Sequence, residues 1–283
     1  MATVPGNSFG TGKKKNRTIE SSRWRNYIFP VLAQAELDNL TKKDYFKLRE
    51  FLENRKLSPQ TIHHGLSLLR RILNNVIELE EYSGYIPTFN KVMPRFDNKR
   101  SRFLSEKEVK ILFLSLESAE HWLDISIFAL NTGMRKGEIF EIRWENIDYN
   151  NKLINIVDTK TQNNRIIPMN NVVFKLLKRN ESNKIDDYIF HFSKPKLFIN
   201  AVKLSGLNEG ITDRRQKFVF HTLRHTFASW LILEGIPIVV VSKLLGHKNI
   251  STTMRYSHIG ADIERHSVNR IMDKYLGNKE IKS

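Results

Sequence analysis

The sequence predicts a mainly α fold with one small β-hairpin or sheet, divided into a helical domain and a mixed α+β domain. Apolar residues recur at helical spacing along most of the 283 residues. One pair of short alternating stretches, Leu153–Val157 and Arg165–Met169, reads as two strands joined by a polar turn at Thr161–Asn164. Between the two halves, the run Lys91–Arg102 (KVMPRFDNKRSR) has no apolar periodicity and carries five basic residues.

Composition narrows the class. With 40% hydrophobic residues, a chain of this length has enough apolar surface for two cores. Forty-six Lys and Arg against thirty Asp and Glu leave a formal charge of +16 and a pI near 9.9. That balance favours a polyanionic partner, with nucleic acid first among them. Cysteine is absent, which excludes disulfides, thiolate chemistry and cysteine metal sites. No signal peptide and no apolar run of transmembrane length is visible, so a cytoplasmic, nucleoid-associated protein with no membrane partner is expected.

Taken in order, residues 1–17 are small and then lysine-rich, and are expected to form a disordered tail. Residues 18–96 read as a helical domain. Trp24, Tyr27, Ile28, Val31 and Leu32 make one apolar stripe, Thr41 with Asp44 resembles a capping box, and Ser58-Pro59 opens a long helix through Ile77. Arg70 and Arg71 on that helix, with Arg55, Lys56, His63 and His64, are candidates for phosphate contacts. Residues 97–102 are expected to be a flexible basic linker, in which Lys99, Arg100 and Arg102 meet phosphates.

The second domain spans 103–283. Ser105 and Glu108 form another capping-box pattern, and an apolar helix from Trp122 to Leu130 ends at Asn131-Thr132-Gly133. Arg135 then heads the next helix, Lys136–Trp144, where backbone N–H groups point outward and suit an anion. Glu138, three residues on, is placed to hold Arg135's guanidinium. Helices near Val172–Lys178 and Lys196–Ser205 carry little chemistry.

The richest stretch is Phe218–His258, FVFHTLRHTFASWLILEGIPIVVVSKLLGHKNISTTMRYSH. His221 and Arg224 are three apart on one helix face, Glu234-Gly235-Ile236-Pro237 breaks the helix and opens a second one, Gly246 presents His247, and Tyr256 follows nine residues later. Two imidazoles, a permanent cation and a phenol suit a phosphate. His225, adjacent to Arg224 on another face, reads as a structural hydrogen-bonding residue.

HTLRHTFA, LLGH and TTMRYSH together resemble the C-terminal signature of the tyrosine recombinases, or phage integrase family. NTGMRKGEI resembles that family's first arginine box, and DTKTQNNRIIPM its β-hairpin. The resemblance implies a core-DNA-binding domain at 18–96 and a catalytic domain at 103–283, with Arg135, Lys160, His221, Arg224, His247 and Tyr256 as catalytic residues and Glu138 behind them. In this reading Tyr256 attacks the scissile phosphodiester and forms a 3′-phosphotyrosine, and Arg135 and Arg224 hold the non-bridging oxygens. His247 adds a hydrogen bond, His221 assists proton transfer at Tyr256, and Lys160 protonates the departing 5′-oxygen. No metal, ATP or other cofactor is implied. Double-stranded DNA, a homotetramer on DNA from a monomer when free, and accessory DNA-bending proteins are the implied partners. An amphipathic helix beyond Tyr256, through Ile263, Val268, Ile271 and Tyr275, is implied to dock on a neighbouring subunit or pack in cis. No further arm-binding domain is visible ahead of residue 18.

Integration and excision of a mobile element is the expected role, beside a chromosome-dimer resolvase of the same family. A type IB topoisomerase shares the tyrosine chemistry, but LLGH and TTMRYSH favour the recombinase. A metal-dependent nuclease built on His221 and His225 lacks the acidic residue of HExxH and any carboxylate cluster. A non-catalytic DNA-binding protein has no need of Tyr256.

Overall fold

The computed structural model describes residues 14–97, 100, 102–157, 164–182, 184, 186–191 and 194–260. They build two compact units, Met1–Asn98 and Lys99–Ser283.

The first unit is helical, as expected. Its helix α1, Lys14–Arg23, runs through one π-helical turn, Trp24–Ile28, into α2, Phe29–Leu32. The helix therefore begins inside the stretch read as a disordered tail. Lysine is a good helix former, and it prolongs a helix already anchored by buried Trp24 and Ile28. In α3, Lys42–Asn54, the Thr41 N–H donates to Asp44 Oδ2 at 3.0 Å. In α4, Pro59–Glu78, Ser58 Oγ accepts from the Thr61 N–H at 3.3 Å. Each pair satisfies an N-terminal amide that the helix itself leaves without a partner. Leu48 and Leu52 of α3 and Leu66, Leu69 and Leu73 of α4 close the core, and Tyr45 stacks on Phe89 at 4.1 Å.

The second unit opens with α5, Glu106–Leu116, whose capping box pairs the Ser105 N–H with Glu108 Oε2 at 2.8 Å and the Glu108 N–H with Ser105 Oγ at 3.3 Å. Helix α6, Glu120–Thr132, is buried on several faces through Trp122, Ile125, Phe128 and Ala129. The Trp122 ring sits among Phe140, Phe198 and Phe220 at centroid distances of 6.0, 5.2 and 6.1 Å. Gly133 ends α6 at φ 61°, and a Cβ there would stand 2.3 Å from Phe227 Cδ1, so backbone and neighbour both require glycine.

Helix α7 covers Lys136–Glu141 and stops short of the expected Trp144. Its continuation is drawn into extended pairing: the Ile189 N–H donates to the Ile142 carbonyl at 3.2 Å and the Trp144 N–H to Asp187 at 3.0 Å. The sheet holds three antiparallel strands in the order β1 (Ile147–Asp148), β2 (Leu153–Ile156), β3 (Arg165–Pro168), with Ile154 opposite Ile167. The polar turn between β2 and β3 lies outside the described residues except at Asn164, and so does Lys160. Helices α8 (Asn171–Glu181), α9 (Pro195–Leu204), α10 (His221–Leu233) and α11 (Ile238–Leu245) follow, with α10 packed on α6 and α11. A short 3-10 segment, Met254–Gly260, closes the described chain, and the expected terminal helix beyond it lies outside the described residues.

The reading of the basic linker needs correction at Arg102. Its side chain is only 14% exposed, and its guanidinium donates to the carbonyls of Gln216 and Leu207 and to Glu108 Oε1. Arg100 donates to the Lys217 carbonyl at 3.0 Å. Next to them, the Leu104 N–H donates to Thr226 Oγ1 and the Leu104 carbonyl accepts from Trp230 Nε1, stitching this extended segment to α10. Buried donors and acceptors must be paired, and that requirement turned these residues inward. Lys99 lies outside the described residues. In the first unit, Arg71 pairs with Glu20 at 2.7 Å, whereas Arg70 lines a hollow with His63, Lys91 and Arg95. Among the described residues no helix is long and apolar enough to cross a membrane.

Candidate active site

The last turn of α11 is where the predicted residues meet. Gly246, at φ 65°, ends the helix and leaves its final carbonyls pointing outward. Three successive carbonyls take three guanidiniums: Leu244 accepts from Arg165 Nε at 3.0 Å, Leu245 from an Arg224 amine at 2.7 Å, and Gly246 from an Arg135 amine at 3.2 Å. The negative end of the helix dipole favours cations there.

Each arginine has a second anchor. Arg224, on the first turn of α10 and only 3% exposed, also donates to the Gly133 carbonyl at 2.7 Å, so the glycine that ends α6 helps to fix it. Burial and the neighbouring Arg135 charge lower its pKa to about 9, which leaves it cationic at neutral pH. Arg135 caps α7 and donates to Glu138 Oε1 at 2.8 Å, with 42% of its side chain exposed. Glu138 does more than the expected single pairing. Its two oxygens also accept from Arg165 at 3.1 and 2.7 Å, and from the Arg135 N–H at 2.7 Å. Burial alone would raise the Glu138 pKa, but the hydrogen bonds and charge of Arg165, then those of Arg135, outweigh it and hold the carboxyl at about 2. Arg165, with 7% of its side chain exposed, is enclosed almost as fully as Arg224, and its local sequence gives no sign of this role.

The imidazoles divide by surroundings. His247 is half-buried, and its Nδ1 shares a hydrogen bond with Thr253 Oγ1 at 2.7 Å. Burial and the charges of Arg224 and Arg135 lower it to about 4. His221 stands exposed at the head of α10. It too is lowered to about 4, by desolvation first and then by Arg224 and Arg135. The imidazole that meets Tyr256 is His225: its Nδ1 lies 2.6 Å from the tyrosine hydroxyl. Both residues are buried, His225 at 5% and Tyr256 at 4% exposure. Sequence reasoning gave Tyr256's proton partner as His221 and left His225 aside. Helical spacing shows which residues share a face, but not which face the distant Tyr256 approaches.

Burial raises the Tyr256 hydroxyl above its usual range, while Arg224 and Arg255 pull it back. Beside this cluster lies a cleft of about 590 Å³ lined by Arg135, Glu138, Asn155, Arg165, His247 and Lys248. Among the described residues no three His, Cys, Asp or Glu side chains gather as a metal ion would require. The arrangement suits an anion with several oxygens: two guanidiniums with unused N–H donors, a half-buried imidazole and a phenol.

His225 is also a stability switch. Burial first, then the neighbouring His221, Arg255, Arg224 and Arg100, lower its pKa to about 3, against about 6.5 in an unfolded chain. The unfolded state therefore binds more protons between those values, so the contribution is whole above pH ~6.5 and drains away as the pH falls toward ~3. Denaturant unfolding near pH 7 and pH 5 is expected to show wild type losing on the order of 2 kcal/mol more than His225→Gln across that interval. Parallel losses in the two proteins would contradict this.

Known proteins fit this picture. The sequence profile of the phage integrase family matches residues 102–262. The integrase of Escherichia phage P2 is 26% identical over 206 residues, 73% of this chain and 57% of that protein. A tyrosine recombinase of Thermosipho africanus is 28% identical over 248 residues, 84% of this chain and 86% of that one. The chain thus spans little more than half the length of the phage P2 relative, and 46% of the integrase of Salmonella phage P22. Among solved structures, the Tn1549 transposon integrase in complex with transposon right end DNA superposes with a TM-score of 0.74 at 19% identity, over 93% of this chain and 95% of that one. A lambda integrase dimer bound to a COC′ core site gives 0.65 at 20% identity, over 85% and 90%. With the profile spanning more than half of the sequence and the integrase fold shared, the chain belongs to the phage integrase family.

Proposed function

We propose that this protein is a site-specific DNA recombinase that cuts and rejoins duplex DNA through a 3′-phosphotyrosine intermediate, in the integration and excision of a mobile element. The observation that carries the reading is the gathering of Arg135, Arg224, His247 and Tyr256 around the last turn of α11. Arg135 and Arg224 each spend some N–H groups on backbone carbonyls and keep others for a phosphate. Their planar forks stay charged and match two non-bridging oxygens. Because the protein already holds them in place, little reorganisation is needed as charge builds on those oxygens. The bond between Thr253 Oγ1 and Nδ1 of His247 fits a hydroxyl that donates, which leaves the ring proton on Nε2 for the same phosphate.

Tyr256 attacks phosphorus and releases a 5′-hydroxyl, and Lys160, on the family resemblance, supplies that oxygen's proton. The bond energy is kept in the phosphotyrosine, so a new strand end can reseal without ATP. Arg70, with His63, Lys91 and Arg95 around one hollow of the helical unit, offers backbone phosphates a sequence-independent hold. Resolution of chromosome dimers, by the same chemistry within the same family, is the second reading.

A randomised pool of nicked duplexes, incubated with the protein and a metal chelator and run on denaturing gels, tests the chemistry. Wild type is expected to form a 3′-linked covalent adduct and Tyr256→Phe none. An adduct that survives in Tyr256→Phe removes Tyr256 as nucleophile. The assembly is proposed to be a tetramer on DNA from a free monomer, with accessory DNA-bending proteins as further partners. Light scattering should give the monomer mass alone and four copies with the recovered duplex, and a stable tetramer without DNA would count against it.

A further inference from the structure

We infer that His225 is the catalytic base that takes the proton of Tyr256 as it attacks, and returns it when the strand is resealed; the inference rests on the function proposed above. The geometry is direct. His225 Nδ1 lies 2.6 Å from the Tyr256 hydroxyl, at the short end for a hydrogen bond, and both residues are buried. A proton can move along that bond without passing through water. The buried ring is neutral at physiological pH, so with its own hydrogen on Nε2 it offers Nδ1 as an acceptor. His221, the other imidazole on this helix, has its ring centre 5.0 Å from that of His225 and perpendicular to it, and among the described residues the imidazole hydrogen-bonded to the Tyr256 hydroxyl is that of His225.

The step balances as follows. The Tyr256 Oη–H bond breaks, its proton passes to Nδ1, and the freed lone pair forms the bond to phosphorus. The bond from phosphorus to the 5′-oxygen breaks, and that oxygen takes a proton from the acid assigned to Lys160. In resealing, the 5′-hydroxyl gives its proton back to the amine assigned to Lys160 and attacks phosphorus, the bond from phosphorus to Tyr256 Oη breaks, and the imidazolium returns its proton to that oxygen.

Charge explains why the pair stays idle until a phosphate arrives. Burial first, and then the charges of Arg255 from the segment that carries Tyr256, Arg224 from the same helix and Arg100 from the segment that enters the second unit, disfavour a proton on His225. A phosphate held by Arg224 offsets part of that field and raises the proton affinity of the imidazole. The base becomes competent where and when its substrate is bound.

Single-turnover cleavage of a nicked duplex recovered from the pool, with wild type, His225→Gln, His225→Ala and Tyr256→Phe, tests this across pH. The His225 variants are expected to retain duplex binding in a gel-shift assay. Their adduct formation near neutral pH is expected to be about 10² to 10⁴ slower. Their rates should keep climbing at alkaline pH where wild type has levelled off, as hydroxide replaces the missing base. Wild-type rates and profile in the variants would overturn the inference, and so would a slowing equal at every pH, which marks an anchor for the tyrosine ring. Nitrogen NMR on the wild-type protein reads the same atom without mutation: an unprotonated, hydrogen-bonded Nδ1 is expected, and a protonated Nδ1 overturns the assignment even if the variants fail to fold. If wild type itself forms no adduct, the proposed function fails and this inference with it. A normal wild type with normal His225 variants sinks this inference alone.

Discussion

The end of one short helix organises the site. The carbonyls of Leu244, Leu245 and Gly246 have no amide partners further along α11, and Arg165, Arg224 and Arg135 supply donors in their place. Three like charges brought this close would repel. They are tolerated because the helix end carries partial negative charge and because Glu138 sits among them as a partly buried carboxylate. Removing any one of these partners leaves a buried charge or carbonyl uncompensated, so the cluster is kept as a unit.

That unit joins elements that are distant in sequence. Gly133 at the end of α6 gives its carbonyl to Arg224, Arg135 caps α7, Arg165 opens β3, and α11 presents the acceptors. Gly246 has to be glycine for space as well as for its φ: a Cβ there would lie 2.8 Å from the Arg165 side chain. Packing of Trp122 and its aromatic neighbours thus reaches the site through a few backbone hydrogen bonds. A change in any of these elements is felt at the arginine cluster.

Local rules made much of this readable in the sequence. The caps at Thr41, Ser58 and Ser105 depend on residues three apart, and Gly133 and Gly246 end helices as glycine should. Arg135, Arg224, His247 and Tyr256 stood out as residue types in a spaced pattern, and the fold brings them together. What the sequence concealed depends on long-range partners. Arg165 looked like an ordinary strand residue because Glu138 lies 27 residues away and Leu244 lies 79. Arg102 looked like a free linker cation because the Leu207 carbonyl that turns it inward is 105 residues on. His225 looked structural because its partner Tyr256 arrives from 31 residues downstream. Strand β1, two residues long, is too short to show any alternation.

The most direct test of the account is a structure of Tyr256→Phe bound to a duplex it recognises. The account predicts a backbone phosphate within hydrogen-bond distance of Arg135, Arg224 and His247, with Arg224 still on the Leu245 and Gly133 carbonyls and Glu138 still between Arg135 and Arg165. A phosphate bound elsewhere, or guanidiniums that abandon the end of α11 to reach it, would contradict the claim that the protein assembles this site before DNA arrives.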